Sequence, residues 1–133
     1  MKIQLLSDLH LESDPGLVAH PIPGADLLGL AGDIGSYQQR SRLTTDDFGL
    51  GRYAPRNGWP TPVVYVPGNH EYDNLDFDET HERLQTLCQQ LEIQWLERET
   101  RVIDGVRLVG TTLWTDFDAL AAPGDTVGAA LKK

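Results

Sequence analysis

Three clusters in this sequence carry side chains that bind metal or move protons: Asp8-Leu9-His10, Gly32-Asp33 and Gly68-Asn69-His70-Glu71. Carboxylate oxygen, amide oxygen and imidazole nitrogen together suit a hard or borderline divalent cation. Histidine beside such a set can also exchange a proton near neutral pH. In an extended chain, residues i and i+2 face the same way, so Asp8 and His10 are expected to reach one ion together. The glycines before Asp33 and Asn69 are expected to let the backbone turn tightly.

Each cluster must be held by the element before it. Val63-Val64-Tyr65-Val66 is a β-branched and aromatic run that reads as a short buried strand, ended by Pro67-Gly68. Residues 2–6 and 25–31 read as two further strands, so each of the three clusters lies at a strand's C-terminal end. In a parallel sheet those ends share one edge, which is where α/β proteins bind ligands. Residues 36–60 read as polar and irregular. Leu84, Leu87, Cys88 and Leu91 recur at helical spacing, with Asp76 or Asp78 as the cap. Residues 93–96 read as a short strand. Residues 101–103 and 106–109 read as a hairpin about Asp104-Gly105, a pair suited to a type I′ turn. The second hairpin strand is expected to run on to Asp116, and residues 119–133 show no clear element. The pattern is α/β, one domain over residues 1–133, with a mostly parallel sheet and a β-hairpin.

The formal net charge is −9, which argues against a nucleic-acid or anionic-membrane partner, since either needs clustered Lys and Arg. A single cysteine, Cys88, allows no intrachain disulfide and fits a reducing compartment. Residues 1–8 lack the length of a signal peptide, and no apolar run approaches a membrane span. The expectation is a cytoplasmic protein.

The order Asp-x-His, Gly-Asp, Gly-Asn-His-Glu, with one strand-sized segment before each motif, resembles the calcineurin-like metallophosphoesterase family. The later Gly110-Thr111-Thr112-Leu113-Trp114-Thr115-Asp116 resembles a bacterial branch of it, and the likeness covers roughly residues 1–117. The resemblance implies the N-terminal part of that family's sandwich fold and a metal-dependent phosphoester hydrolase. It implies that Asp8 and His10 hold a first metal, that Asp33 bridges, and that Asn69 holds a second. His70 would stand beside the metals as the catalytic residue, protonating the leaving-group oxygen. The implied reaction is in-line attack on phosphorus by a metal-bound hydroxide, with two divalent ions (manganese, iron or zinc) and a small phosphoester as substrate.

The chain departs from the family pattern. An isolated His and a Gly-His-x-His should follow, and neither is present. The chain looks like an N-terminal half, truncated after about residue 117, and only one ion bound is then an alternative. A second reading is thus a catalytically incomplete metal-binding or interaction domain. Either reading leaves an open sheet edge and an uncovered apolar face, which predicts a homo-oligomer. Ser36 stands where many relatives place an Asp that orients the catalytic His, which leaves Glu71 as a substitute.

Other residues read as structural. Asp73, Asp76 and Asp78 read as a solvated loop plus a cap, and His81 as an exposed first-turn residue. Trp59, Trp95 and Trp114 read as packing residues, with Trp114 or Asp116 the ones placed to shape a substrate mouth. Cys88 reads as core, and Glu71 as more structural than catalytic.

Overall fold

The computed structural model describes residues 1–115 and Gly124. Four strands form one parallel sheet in the order β1 (Ile3–Leu6), β2 (Leu27–Ala31), β3 (Val63–Val66), β4 (Gln94–Trp95). The central strands β2 and β3 are the most apolar runs, as sheets covered on both faces require. Register fixes which side chains share a face. Leu28 pairs with Val63 and Leu30 with Tyr65, and all four point into the main core. Each such side chain contributes about 1.5–3 kcal/mol by leaving water.

That core is closed by two segments. The helix α1 (Phe77–Leu91) connects β3 to β4 and buries Leu84 and Cys88, with Leu87 and Leu91 packed at the margin. Asp76 caps it, its Oδ1 accepting the Glu79 N–H at 3.0 Å. The second segment is the long β2–β3 connection. It is irregular as expected, with two short 3-10 turns at Leu50–Tyr53 and Pro55–Asn57. It is not polar throughout, because Phe48, Leu50, Tyr53, Ala54 and Trp59 are buried in the core. Those apolar residues lack a helical or strand period, so periodicity does not reveal them.

The hairpin is as expected. β5 (Glu99–Ile103) pairs antiparallel with β6 (Val106–Gly110), and Asp104 and Gly105 both have positive φ, 49° and 76°. β6 ends at Gly110 rather than running on to Asp116, which lies outside the described residues. A Cβ on Gly110 would stand 2.6 Å from Val66 Cγ2 and 2.7 Å from the Leu96 carbonyl, so the hairpin touches the sheet through its glycine. Residues 119–123 and 125–133 and the proposed truncation point also lie outside the described residues.

The second face of the sheet carries a smaller cluster of Leu27, Val64 and Leu96, packed with Val66, Ile103 and Leu108. Among the described residues only the hairpin covers this face, and Ile3 is 45% and Leu5 67% exposed on the edge strand β1. Among the described residues no helix is long and apolar enough to cross a membrane.

Candidate metal centre

The three expected motifs leave the sheet at one edge, and backbone bonds hold their loops together. Asp8 N–H donates to the Gly32 carbonyl, His10 N–H to Asp33 and Leu11 N–H to Ile34, each at 3.0 Å. The β1 exit therefore stays attached to the β2 exit. The β2 and β3 exits meet through glycine. Gly32 has φ +81°, and a Cβ there would lie 2.7 Å from Gly68 Cα. Gly68 does not need an unusual φ; a Cβ there would lie 2.1 Å from Asp33 Oδ1. The first glycine serves both the turn and the close approach, and the second serves the approach alone.

One buried carboxylate joins these two loops. Glu71 is fully buried and accepts three backbone N–H groups: Gly68 at 2.8 Å, Asp33 at 3.1 Å and Ile34 at 2.8 Å. Burial pushes its carboxyl up, and the three N–H donors oppose that shift. Glu71 is thus a loop clamp and does not orient His70. The Asp33 side chain completes the lock, its Oδ1 accepting the His70 N–H at 3.0 Å.

Each histidine is oriented by its own carboxylate. His10 Nδ1 lies 2.9 Å from Glu12 Oε1. Glu12 is itself buried and also accepts from Ser36 N–H at 3.1 Å and Gln38 Nε2 at 3.2 Å. His70 Nδ1 lies 2.6 Å from Asp73 Oδ2. The bond to Asp73 is the main cause that raises the His70 pKa; partial burial opposes it, and Asp33, Asp73 and Glu12 add to the rise. With Nδ1 engaged on both rings, Nε2 is the nitrogen left for a ligand or a proton.

The two rings approach edge to face, with centroids 5.0 Å apart. His10, Asp33 and His70 each offer one ligand atom, and these atoms all lie within 4.8 Å of one another. Among the described residues no Lys or Arg forms an ion pair with Asp8, Glu12, Asp33, Glu71 or Asp73. Glu12, Glu71 and Asp73 already have hydrogen-bond partners, so the half-buried Asp33 is the carboxylate that a cation held with the His10 and His70 rings would pair with.

The structure brings together some expected residues and leaves others apart. His10, Asp33 and His70 converge. Asp8 is exposed and stands outside that group, and Asn69 is exposed on the rim of the β3 exit. Strand alternation does not govern these side chains, because Asp8 and His10 have φ of 53° and 46°, so the chain there is left-handed and not extended. Asp33, with φ 53°, is left-handed too. Left-handed non-glycine residues cost of order 1–3 kcal/mol each and gather at functional sites. Glu12, given no role in the sequence, pairs with His10, and Asp73, expected as part of a solvated loop, instead pairs with His70. Their signals are their spacings, i+2 from His10 and i+3 from His70, and only burial and direction separate them from other acidic residues. His81 is half-buried rather than exposed, its Nδ1 3.0 Å from the Tyr72 hydroxyl.

No family model and no solved structure matches this chain. It is similar to uncharacterized protein L509 of Acanthamoeba polyphaga mimivirus, at 35% identity over 61 residues, or 41% of this chain and 22% of that protein. The chain therefore spans less than a quarter of the length of the relative it matches.

Proposed function

We propose that this chain carries the metal centre of a phosphoester hydrolase of the metallophosphoesterase type. The observation that supports it is the convergence of His10, Asp33 and His70 within 4.8 Å, at the C-terminal ends of three adjacent parallel strands. His10 and Asp33 would hold a divalent cation, and Asp8 and Asn69, on the same strand exits, are the further donors the chain offers; nitrogen and oxygen donors of this kind suit manganese, iron or zinc. The ion supplies polarisation of the phosphoryl group and activation of water.

The chain's own residues do the rest. Glu12 holds His10 by Nδ1, which leaves Nε2 as the nitrogen that would bind a cation. Glu71 and the two glycines keep the Asp33 and His70 loops at fixed separation. His70, as imidazolium, keeps Nδ1–H on Asp73 and carries its second proton on Nε2. That proton goes to the ester oxygen as the bond to phosphorus breaks. General acid catalysis of this kind contributes about 10²–10⁴-fold.

A second reading, a metal-binding domain that does not turn over by itself, is favoured by the exposure of Asp8 and by the sheet face at Ile3 and Leu5, which no other described residue covers. Such a face also invites self-association through β1. Turnover separates the two. Manganese-loaded chain is expected to hydrolyse an aryl phosphate, and His70→Ala is expected to retain its metal while losing at least about 100-fold in rate. Equal rates for the two proteins would refute the hydrolase reading, and elemental analysis would then show whether the metal-binding reading survives.

A further inference from the structure

Asn69 and His70 leave β3 through a soft joint. The Pro67 ring fixes its own φ, so the peptide plane between Pro67 and Gly68 turns about two bonds, ψ of Pro67 and φ of Gly68. Residue 68 is held to glycine, because a Cβ there would lie 2.1 Å from Asp33 Oδ1. Glycine leaves the rotation weakly restrained. A twist of this plane swings the residues that follow it, and Asn69 and His70 come next. The close approach to Asp33 therefore brings a loose joint with it.

The structure grips the plane at both ends. The C=O and N–H of a trans peptide point in opposite directions, so one partner on each side stops it turning. On one side the Gly68 N–H donates to Glu71 Oε2 at 2.8 Å. On the other the Pro67 carbonyl accepts from Thr112 Oγ1 at 2.6 Å. Glu71 belongs to the same loop, whereas Thr112 lies 45 residues away, just beyond β6.

Thr112 is fixed in its turn. The buried Glu97 carboxylate accepts the Thr112 N–H on Oε2 at 2.5 Å and the Thr111 hydroxyl on Oε1 at 3.4 Å. Oε2 also lies 3.0 Å from Thr112 Oγ1, but a hydroxyl has one proton to give and the Pro67 carbonyl is the nearer acceptor. Gly110, packed on Val66 and Leu96, brings this segment in beside β3.

We infer that Thr112 is a positioning residue for the proposed centre: its hydroxyl, aimed by Glu97, fixes the peptide plane from which Asn69 and His70 are presented. Its effect on turnover rests on the phosphoesterase reading; its effect on the loop does not. Thr112 touches neither cation nor ester and acts only through the Pro67–Gly68 peptide.

The test reads amide hydrogen exchange by NMR on the full chain. Thr112→Val keeps the shape and removes the hydroxyl. It is expected to speed exchange at Gly68 and His70 about tenfold, with Leu30 and Tyr65 in the central strands unchanged. Thr112→Ala, which sets no methyl against the carbonyl, is expected to do the same, and Thr112→Ser to restore wild-type exchange. Faster exchange confined to the hairpin, or spread equally over the central strands, would make Thr112 an anchor of the fold and overturn the positioning role. In manganese-loaded chain, Thr112→Val is expected to lower kcat on an aryl phosphate about tenfold at unchanged KM, with Thr112→Ser close to wild type. Loosened amides with kcat unmoved in an active chain would also overturn it. A wild-type chain without turnover would overturn the hydrolase reading, and the exchange result would still decide whether Thr112 holds the loop.

Discussion

The carboxylate of Glu71 accepts the backbone N–H of Asp33 at 3.1 Å, across 38 residues of sequence. With the bonds to Ile34 and Gly68, this makes a buried side chain the fastener between two strand exits. Metal ligands on separate loops need such a fastener, because a displacement of about 1 Å is enough to spoil a site.

Glu71→Gln keeps the volume but places an amide N–H₂ or a single oxygen where three N–H groups now donate. At least one backbone donor then loses its partner inside the protein. The expected cost is about 1–3 kcal/mol in urea or thermal unfolding, together with weaker metal binding. Unchanged stability would show that water satisfies those N–H groups as well as the carboxylate does.

Glu12→Gln is expected to act on metal affinity more than on the fold. Its carboxylate holds His10 Nδ1 and Gln38 through Oε1 and Ser36 through Oε2, and an amide cannot accept on both sides. Loss of such a support lowers metal affinity by about 10–100-fold. Isothermal titration with manganese at pH 7 reads this directly, and an affinity equal to that of wild type would remove Glu12 from the site.

The His70–Asp73 pair has a signed pH dependence. The folded pKa of His70 is raised above 6.5, so in metal-free chain the pair's stabilisation is fully present below the unfolded value. It is lost as pH rises through the folded value. NMR titration is expected to place the His70 imidazole above 6.5, and Asp73→Asn to lower it. A titration unmoved by Asp73→Asn would show that Asp33 and Glu12 set the proton affinity instead.

Cys88 is buried on the inner face of α1, and burial pushes its thiol up to about 12. At pH 8 the thiolate fraction is then only of order 10⁻⁴, and the sulfur is shielded as well. Native chain is expected to leave an aromatic disulfide reagent unreacted over hours, and denatured chain to consume one equivalent at once. Rapid reaction of the native chain would mean that α1 opens locally.

Much of this molecule is readable from local pattern. Val63-Val64-Tyr65-Val66 can hardly be anything but a buried strand, and Asp104-Gly105 selects its turn by the positive φ it tolerates. The spacing of Leu84 and Cys88 shows the inner face of α1. The connection at 36–60 resists such reading, because Phe48, Leu50, Tyr53 and Trp59 reach the core from an irregular backbone that imposes no period.

The sequence by itself determined the elements and the residue types at their ends, since strand, helix and turn preferences act over a few neighbouring residues. It thereby placed Asp8, His10, Asp33, Asn69 and His70 at strand exits. Tertiary structure decided which of these meet. His10, Asp33 and His70 converge while Asp8 turns to solvent, because left-handed backbone at Asp8 and His10 replaces the alternation of a strand. It also assigned the carboxylates. Glu12 and Asp73 became the partners of the histidines, and Glu71 the clamp, by burial and direction that spacing along the chain does not encode.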